Sequence, residues 1–157
     1  MSASTTALRL ALVVAEVLVL GFLATTAVRA RAACTARQAE TEEDASLRTW
    51  ADLRHAYEAY DRGCDDGVVA EHLSDFVARS LANHWGELPE LKRLVSADPN
   101  FRSYVLKHID ATDDENDLIR VAKNAKIRCP SDSRHLCAEI EHAALTAKRE
   151  IDANLRQ

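Results

Sequence analysis

From Asp98 to Arg128 the chain reads DPNFRSYVLKHIDATDDENDLIRVAKNAKIR, and this stretch decides the fold class. It opens on Asp98-Pro99, a side chain able to cap backbone N–H groups followed by a residue suited to the first turn of a helix. Phe101, Tyr104, Val105, His108 and Ile109 recur at helical spacing and predict one buried stripe. Thr112 stands as the next cap, ahead of Asp113, Asp114, Glu115 and Asp117, four acids where the positive end of a helix dipole favours them. Leu118, Val121, Ala122 and Ala125 supply an apolar face. Lys123, Lys126 and Arg128 sit at the opposite, negative end.

The same grammar extends in both directions. Cys129-Pro130 breaks the chain, and Ser131 to Ser133 offer caps for a final helix through about Asn154. Its buried side is Leu136, Ile140, Ala143, Ala144, Ala147 and Ile151. Upstream, Pro89 opens a short helix carrying Leu91, Leu94 and Val95. Before it, Val69, Leu73, Phe76, Val77, Leu81 and His84 fall on one face of a helix from about Val68 to Trp85, stopped by Gly86. Cys64-Asp65-Asp66-Gly67 is a turn in which either aspartate can cap that helix. The first domain helix follows Thr41-Glu42-Glu43-Asp44, which resembles a capping box, and runs to about Asp61. Leu47, Trp50, Leu53, Tyr57 and Tyr60 form its stripe, and Gly63 is the expected stop.

Composition agrees with this pattern. Only 4 Gly and 3 Pro occur in 157 residues, too few for the tight turns of a sandwich or barrel. The expected fold is all-α: five or six short antiparallel helices in residues 44–157, behind a linker at 33–43 and an N-terminal hydrophobic helix within 1–32. No repeat of fixed period emerges.

From Leu10 to Val28 the chain is apolar except for Glu16 and weak spots at Gly21, Thr25 and Thr26. As a helix that segment would be about 28 Å long, close to the roughly 30 Å hydrocarbon thickness of a bilayer. Arg9 gives it a thin positive start, and Ala30-Arg31-Ala32 fits a small-x-small cleavage pattern. Cleaved signal peptide, uncleaved anchor and amphipathic segment remain open as readings. Glu16 inside the segment and Arg29, Arg31 and Arg37 after it weigh against a clean signal. The expected location is the periplasm, exported or held at the inner membrane by residues 10–28. Cys34, preceded by Arg31-Ala32-Ala33, lacks the apolar residue that a lipoprotein signal usually places where Arg31 stands.

The whole chain carries a net charge of −5. Cleavage after Ala32 would leave 17 basic residues against 24 acidic ones, a net charge of −7. Such a surface suits a basic protein partner and argues against nucleic acid, whose phosphates need Lys and Arg.

Four cysteines in an exported chain predict disulfides. Cys129 and Cys137 lie at the facing ends of consecutive helices, within bridging range in an antiparallel hairpin. Cys64 with either of them is the rival pairing. A zinc site using Cys129, His135 and Cys137 lacks a C-x-x-C pair and regular spacing. Of the six histidines, His84 and His108 fall on apolar faces, where a hydrogen-bonded core role is expected. His55, His72 and His142 are expected to face solvent. No H-E-x-x-H array, calcium loop, P-loop or nucleophile elbow is present, so no catalytic residue, metal or cofactor is expected.

The stretch from Trp50 to Ala144 resembles a group of small, exported, helical bacterial proteins. The residues that carry this are Cys64-Asp65-Asp66-Gly67, Ser74, the Leu81/Trp85 pair, Asp98-Pro99 with Phe101, and Cys129-Pro130 with Leu136-Cys137. In size and general plan it is similar to the periplasmic immunity proteins that neutralise amidase toxins of the type VI secretion system. That resemblance implies a binding protein, not an enzyme, acting by occlusion of a toxin's active site. The alternative is an anchored structural or assembly subunit of an envelope complex. Candidate contact residues are Asp65, Asp66 and Gly67 in the first turn, Trp85 and Glu87 at the Gly86 corner, and Asp113 and Asp114 at the acidic helix start.

Overall fold

The computed structural model describes residues 47–60 and 65–157. Among the described residues there are six α-helices, one 3-10 turn and no strand. They are α1 (Trp50–Tyr60), α2 (Gly67–Asn83), the 3-10 turn Trp85–Glu87, α3 (Leu88–Ala97), α4 (Pro99–Lys107), α5 (Glu115–Ile127) and α6 (Arg134–Asn154). No described helix is long and apolar enough to cross a membrane. The segment 10–28, the linker 33–43, Cys34, Gly63 and Cys64 lie outside the described residues.

Thr41-Glu42-Glu43-Asp44 lies outside the described residues, and α1 starts at Trp50, later than expected. Residues 47–49 are not helical. A capping box stands at Thr49-x-x-Asp52: Asp52 Oδ2 accepts from the Thr49 N–H at 2.9 Å, and Thr49 Oγ1 accepts from the Asp52 N–H at 3.2 Å. Asp66 caps α2 and Asp98 caps α4, as the sequence predicts. At the start of α5 the cap is Asp114 rather than Thr112, accepting from the Asn116 and Asp117 N–H groups. Thr112 instead closes a turn onto Asp110, its N–H and hydroxyl both donating to Asp110 Oδ1. Helix α2 ends at Asn83, two residues early, so His84 leaves the apolar stripe and is exposed. His72 is half-buried instead of solvent-facing, with Nε2 enclosed.

The expected stripes otherwise meet in one core. Leu53, Leu91, Phe101, Val121 and Ile140 are fully enclosed, each about 1.5–3 kcal/mol of transfer energy for an aliphatic or aromatic side chain of this size. Trp50 packs edge-on against Phe76, ring centroids 5.5 Å apart, which fastens α1 to α2. Tyr57 packs at a tilt against Phe101 and Tyr104, which fastens α1 to α4.

Helices α5 and α6 form an antiparallel hairpin, stapled at one end by the Cys129–Cys137 disulfide and joined at the other by Lys148–Glu115 at 2.9 Å. With both sulfurs in that bond, neither is a thiolate for the zinc site considered above.

Helices α2 and α5, by contrast, are parallel. Ser74 of α2 meets Asp110 ahead of α5. One end further on, the buried Asn124 amide donates to the Leu81 and Ala82 carbonyls, and the Trp85 indole donates to the Arg128 carbonyl. The expected all-antiparallel order fails for a local reason. Asp98 alone joins α3 to α4, too short a link for a hairpin, so the two make a corner and together return the chain to the start of α5.

Candidate functional site

A chain of polar contacts links the turn before α2, the middle of α2, the end of α4 and the turn before α5. His108, the C-cap of α4, is 1% exposed. Its Nδ1 is 3.0 Å from Ser74 Oγ, and Ser74 is also 1% exposed. Its Nε2 lies 3.1 Å from Asp65 Oδ1. The Ser74 hydroxyl is within donating distance of Asp110 Oδ2, also 3.0 Å. Ser74 has one proton for two neighbours, so whichever of His108 and Asp110 it does not serve must bring its own hydrogen. Asp110 Oδ1 holds Thr112, and the Asp110 N–H donates to Asp113 Oδ2 at 3.0 Å. The chain of contacts thus runs from Asp65 through His108, Ser74 and Asp110 to Asp113.

Two carboxyls in this chain are pulled in opposite directions. Burial acts to raise Asp65, but the contacts of His108 and Lys107 outweigh it and lower its pKa to about 2. Lys107 Nζ sits 2.6 Å from Asp65 Oδ2. At Asp113 burial dominates. Against the pull of the Asp110 N–H, and with the negative charges of Asp110, Asp75 and Asp117 adding to it, burial pushes the pKa up to about 7.

Aspartate, histidine and serine in contact are the residue types of a hydrolytic triad. Here the histidine presents Nδ1 to the serine, and both residues are sealed in the core, so no substrate atom reaches Ser74 Oγ. The cluster acts as a clamp tying the turn before α2 to the end of α4. Among the described residues, shallow depressions lie elsewhere. One of about 360 Å³ is lined by Leu106, Ala138, Glu139 and His142. Two others, about 130 and 300 Å³, share Lys92, Ser96, Asp132 and Ser133 beside the α5–α6 turn.

The nominated contact residues divide into two groups. Asp65, Asp66 and Gly67 lead into α2, and Asp113 and Asp114 lead into α5, at the acidic end of this parallel helix pair. Asp66 and Asp114 are exposed, each using a side-chain oxygen as a cap, and Gly67 holds a φ of +55° that favours glycine. Asp65 is half-buried and Asp113 is buried at 7% exposure, which corrects its place as a contact residue. Trp85 is a correction as well. It is 5% exposed, a core residue, and its polar edge is spent on the Arg128 carbonyl. Glu87 is exposed but lies past the far end of α2, whose 17 residues span about 25 Å.

Sequence reasoning missed Asp75, Asp110 and Asn124. The signal available for Asp110 was Ser74 itself, a hydroxyl set inside the Leu73, Phe76 and Val77 stripe, where a buried polar group demands a partner. No protein-family model, no curated protein and no solved structure matches this chain.

Proposed function

We propose that this protein is an exported binding protein of the immunity type, which neutralises an envelope-directed toxin by direct contact through the acidic end. The observation that carries this is that Asp66 and Asp114, distant in sequence and both exposed, cap the same ends of two parallel helices joined by buried side-chain contacts. Opposed charges speed encounter, and a surface held by core contacts loses little entropy on binding. The partner would present lysine or arginine at its active-site mouth. Export to the periplasm is supported by the apolar segment 10–28 and by the Cys129–Cys137 bond, which persists in oxidising compartments.

The test is protection. The full-length protein should shield an envelope substrate from a toxin encoded beside it, with stoichiometric inhibition. Replacing Asp66 and Asp114 together by Asn keeps both caps, because asparagine caps as well as aspartate, but removes two charges. That variant should fold with near-native stability and associate with its toxin roughly tenfold more slowly at low salt. Absence of protection by the native protein contradicts the proposal.

A further inference from the structure

Asp113 is a carboxyl placed where an ionised one is costly. Its Oδ2 accepts the Asp110 N–H, while its Oδ1 is enclosed without a hydrogen-bond partner. The groups facing it are negative: Asp110 in its own turn, Asp75 on α2 and Asp117 on α5. Among the described residues, several cations of the surrounding elements pair with other carboxylates. Arg79 pairs with Asp75, Arg120 with Asp117, Lys107 at the end of α4 with Asp65, and Lys148 on α6 with Glu115 and Asp152. His108 is held between Asp65 and Ser74. Among the described residues no three His, Cys, Asp or Glu side chains converge closely enough to hold a metal ion. The cation that fits a single enclosed carboxylate oxygen is a proton.

We propose that the turn from Asp110 to Asp114 is a proton-operated latch on the acidic end, closed while Asp113 carries a proton and loosened when Asp113 ionises. Protonated, Asp113 is neutral and still accepts the Asp110 N–H. Ionised, it is a buried charge among three others of the same sign, relieved when the turn opens to water. The opening is local, since Ser74 and His108 anchor one side of the turn and α5 the other. Asp114 caps α5, so loosening the turn also frays the helix start and adds negative charge at the surface proposed to meet the partner. That last consequence alone rests on the binding proposal; the latch concerns this chain by itself.

The sign follows from linkage. The closed turn binds a proton that the open turn has released from about pH 4 upward, so closing weakens as pH rises toward 7 and levels off above it. Hydrogen exchange of the Asp110–Asp114 amides in the full chain without partner, corrected for the intrinsic pH dependence of exchange, reads this directly. Protection should fall roughly tenfold per pH unit from pH 5 toward 7 and then flatten. In Asp113→Asn, which cannot ionise, protection should stay level. Constant protection in the native protein, or the same fall in the variant, overturns the latch. A second reading needs no variant: the Asp113 carboxyl carbon in the native protein should titrate near pH 7, and a midpoint below 5 overturns the latch. Neither measurement involves a toxin, so loss of the binding proposal would leave both outcomes readable.

Discussion

Ser74 is the residue on which the clamp closes, because one hydroxyl serves both His108 and Asp110. Ser74→Ala strands a buried ring nitrogen and a carboxylate oxygen, at a cost of about 1–3 kcal/mol. The urea midpoint should fall with an unchanged slope, and an unaltered midpoint would show that the contacts contribute nothing. Asp65 gives a pH signature. Its folded pKa of about 2 lies below an unfolded value near 3.9, so its contribution is present above about pH 4 and is lost as pH falls toward 2. Asp65→Asn should therefore cost about 2 kcal/mol at pH 6 and little below pH 2. Equal losses at both pH values would assign the effect to packing instead of charge. Asp113 has the opposite sign: its contribution is present below about pH 4 and is lost as pH rises toward about 7.

At the scale of the element, apolar stripes and Asx caps were legible because each depends on neighbours three or four residues away. Asp98-Pro99, Asp66 and the faces of α5 and α6 stand where periodicity and capping chemistry put them. The misses share a cause. Thr112 and Asp114 are both competent caps by residue type, and the choice between them was made by Asp110, which draws Thr112 into its own turn. His84 left its stripe because Trp85 turned inward to reach the Arg128 carbonyl on another helix. The parallel run of α2 and α5 depends on the Asp98 corner and on Asn124 capping α2, contacts between residues some forty positions apart. The hairpin staple carries its own prediction. Replacing Cys129 and Cys137 with alanine should cost about 2–3 kcal/mol on the loop-entropy model, seen as a lowered denaturation midpoint that reducing agent reproduces in the native protein. No change on reduction would mean that α5 and α6 are held by packing alone.

Across the whole molecule, charge is polarised along α5. Asp113, Asp114, Glu115 and Asp117 crowd its start with Asp75 nearby, while Lys123, Lys126 and Arg128 lie toward its other end. The candidate site was legible only in part. Two of its acidic turns could be nominated from composition, but their placement at the same end of a parallel helix pair could not, because it is produced by the return of the chain through α3 and α4. The most direct measurement is mass spectrometry of the tagged full-length protein captured from its native envelope, reading its mature N-terminus and its bound partner together. A chain beginning near Ala33 in stoichiometric complex with a toxin-like enzyme is the expected result. An intact Met1 or Ser2 terminus in company with membrane-complex subunits, and no toxin, would contradict an exported inhibitor and favour an anchored assembly component.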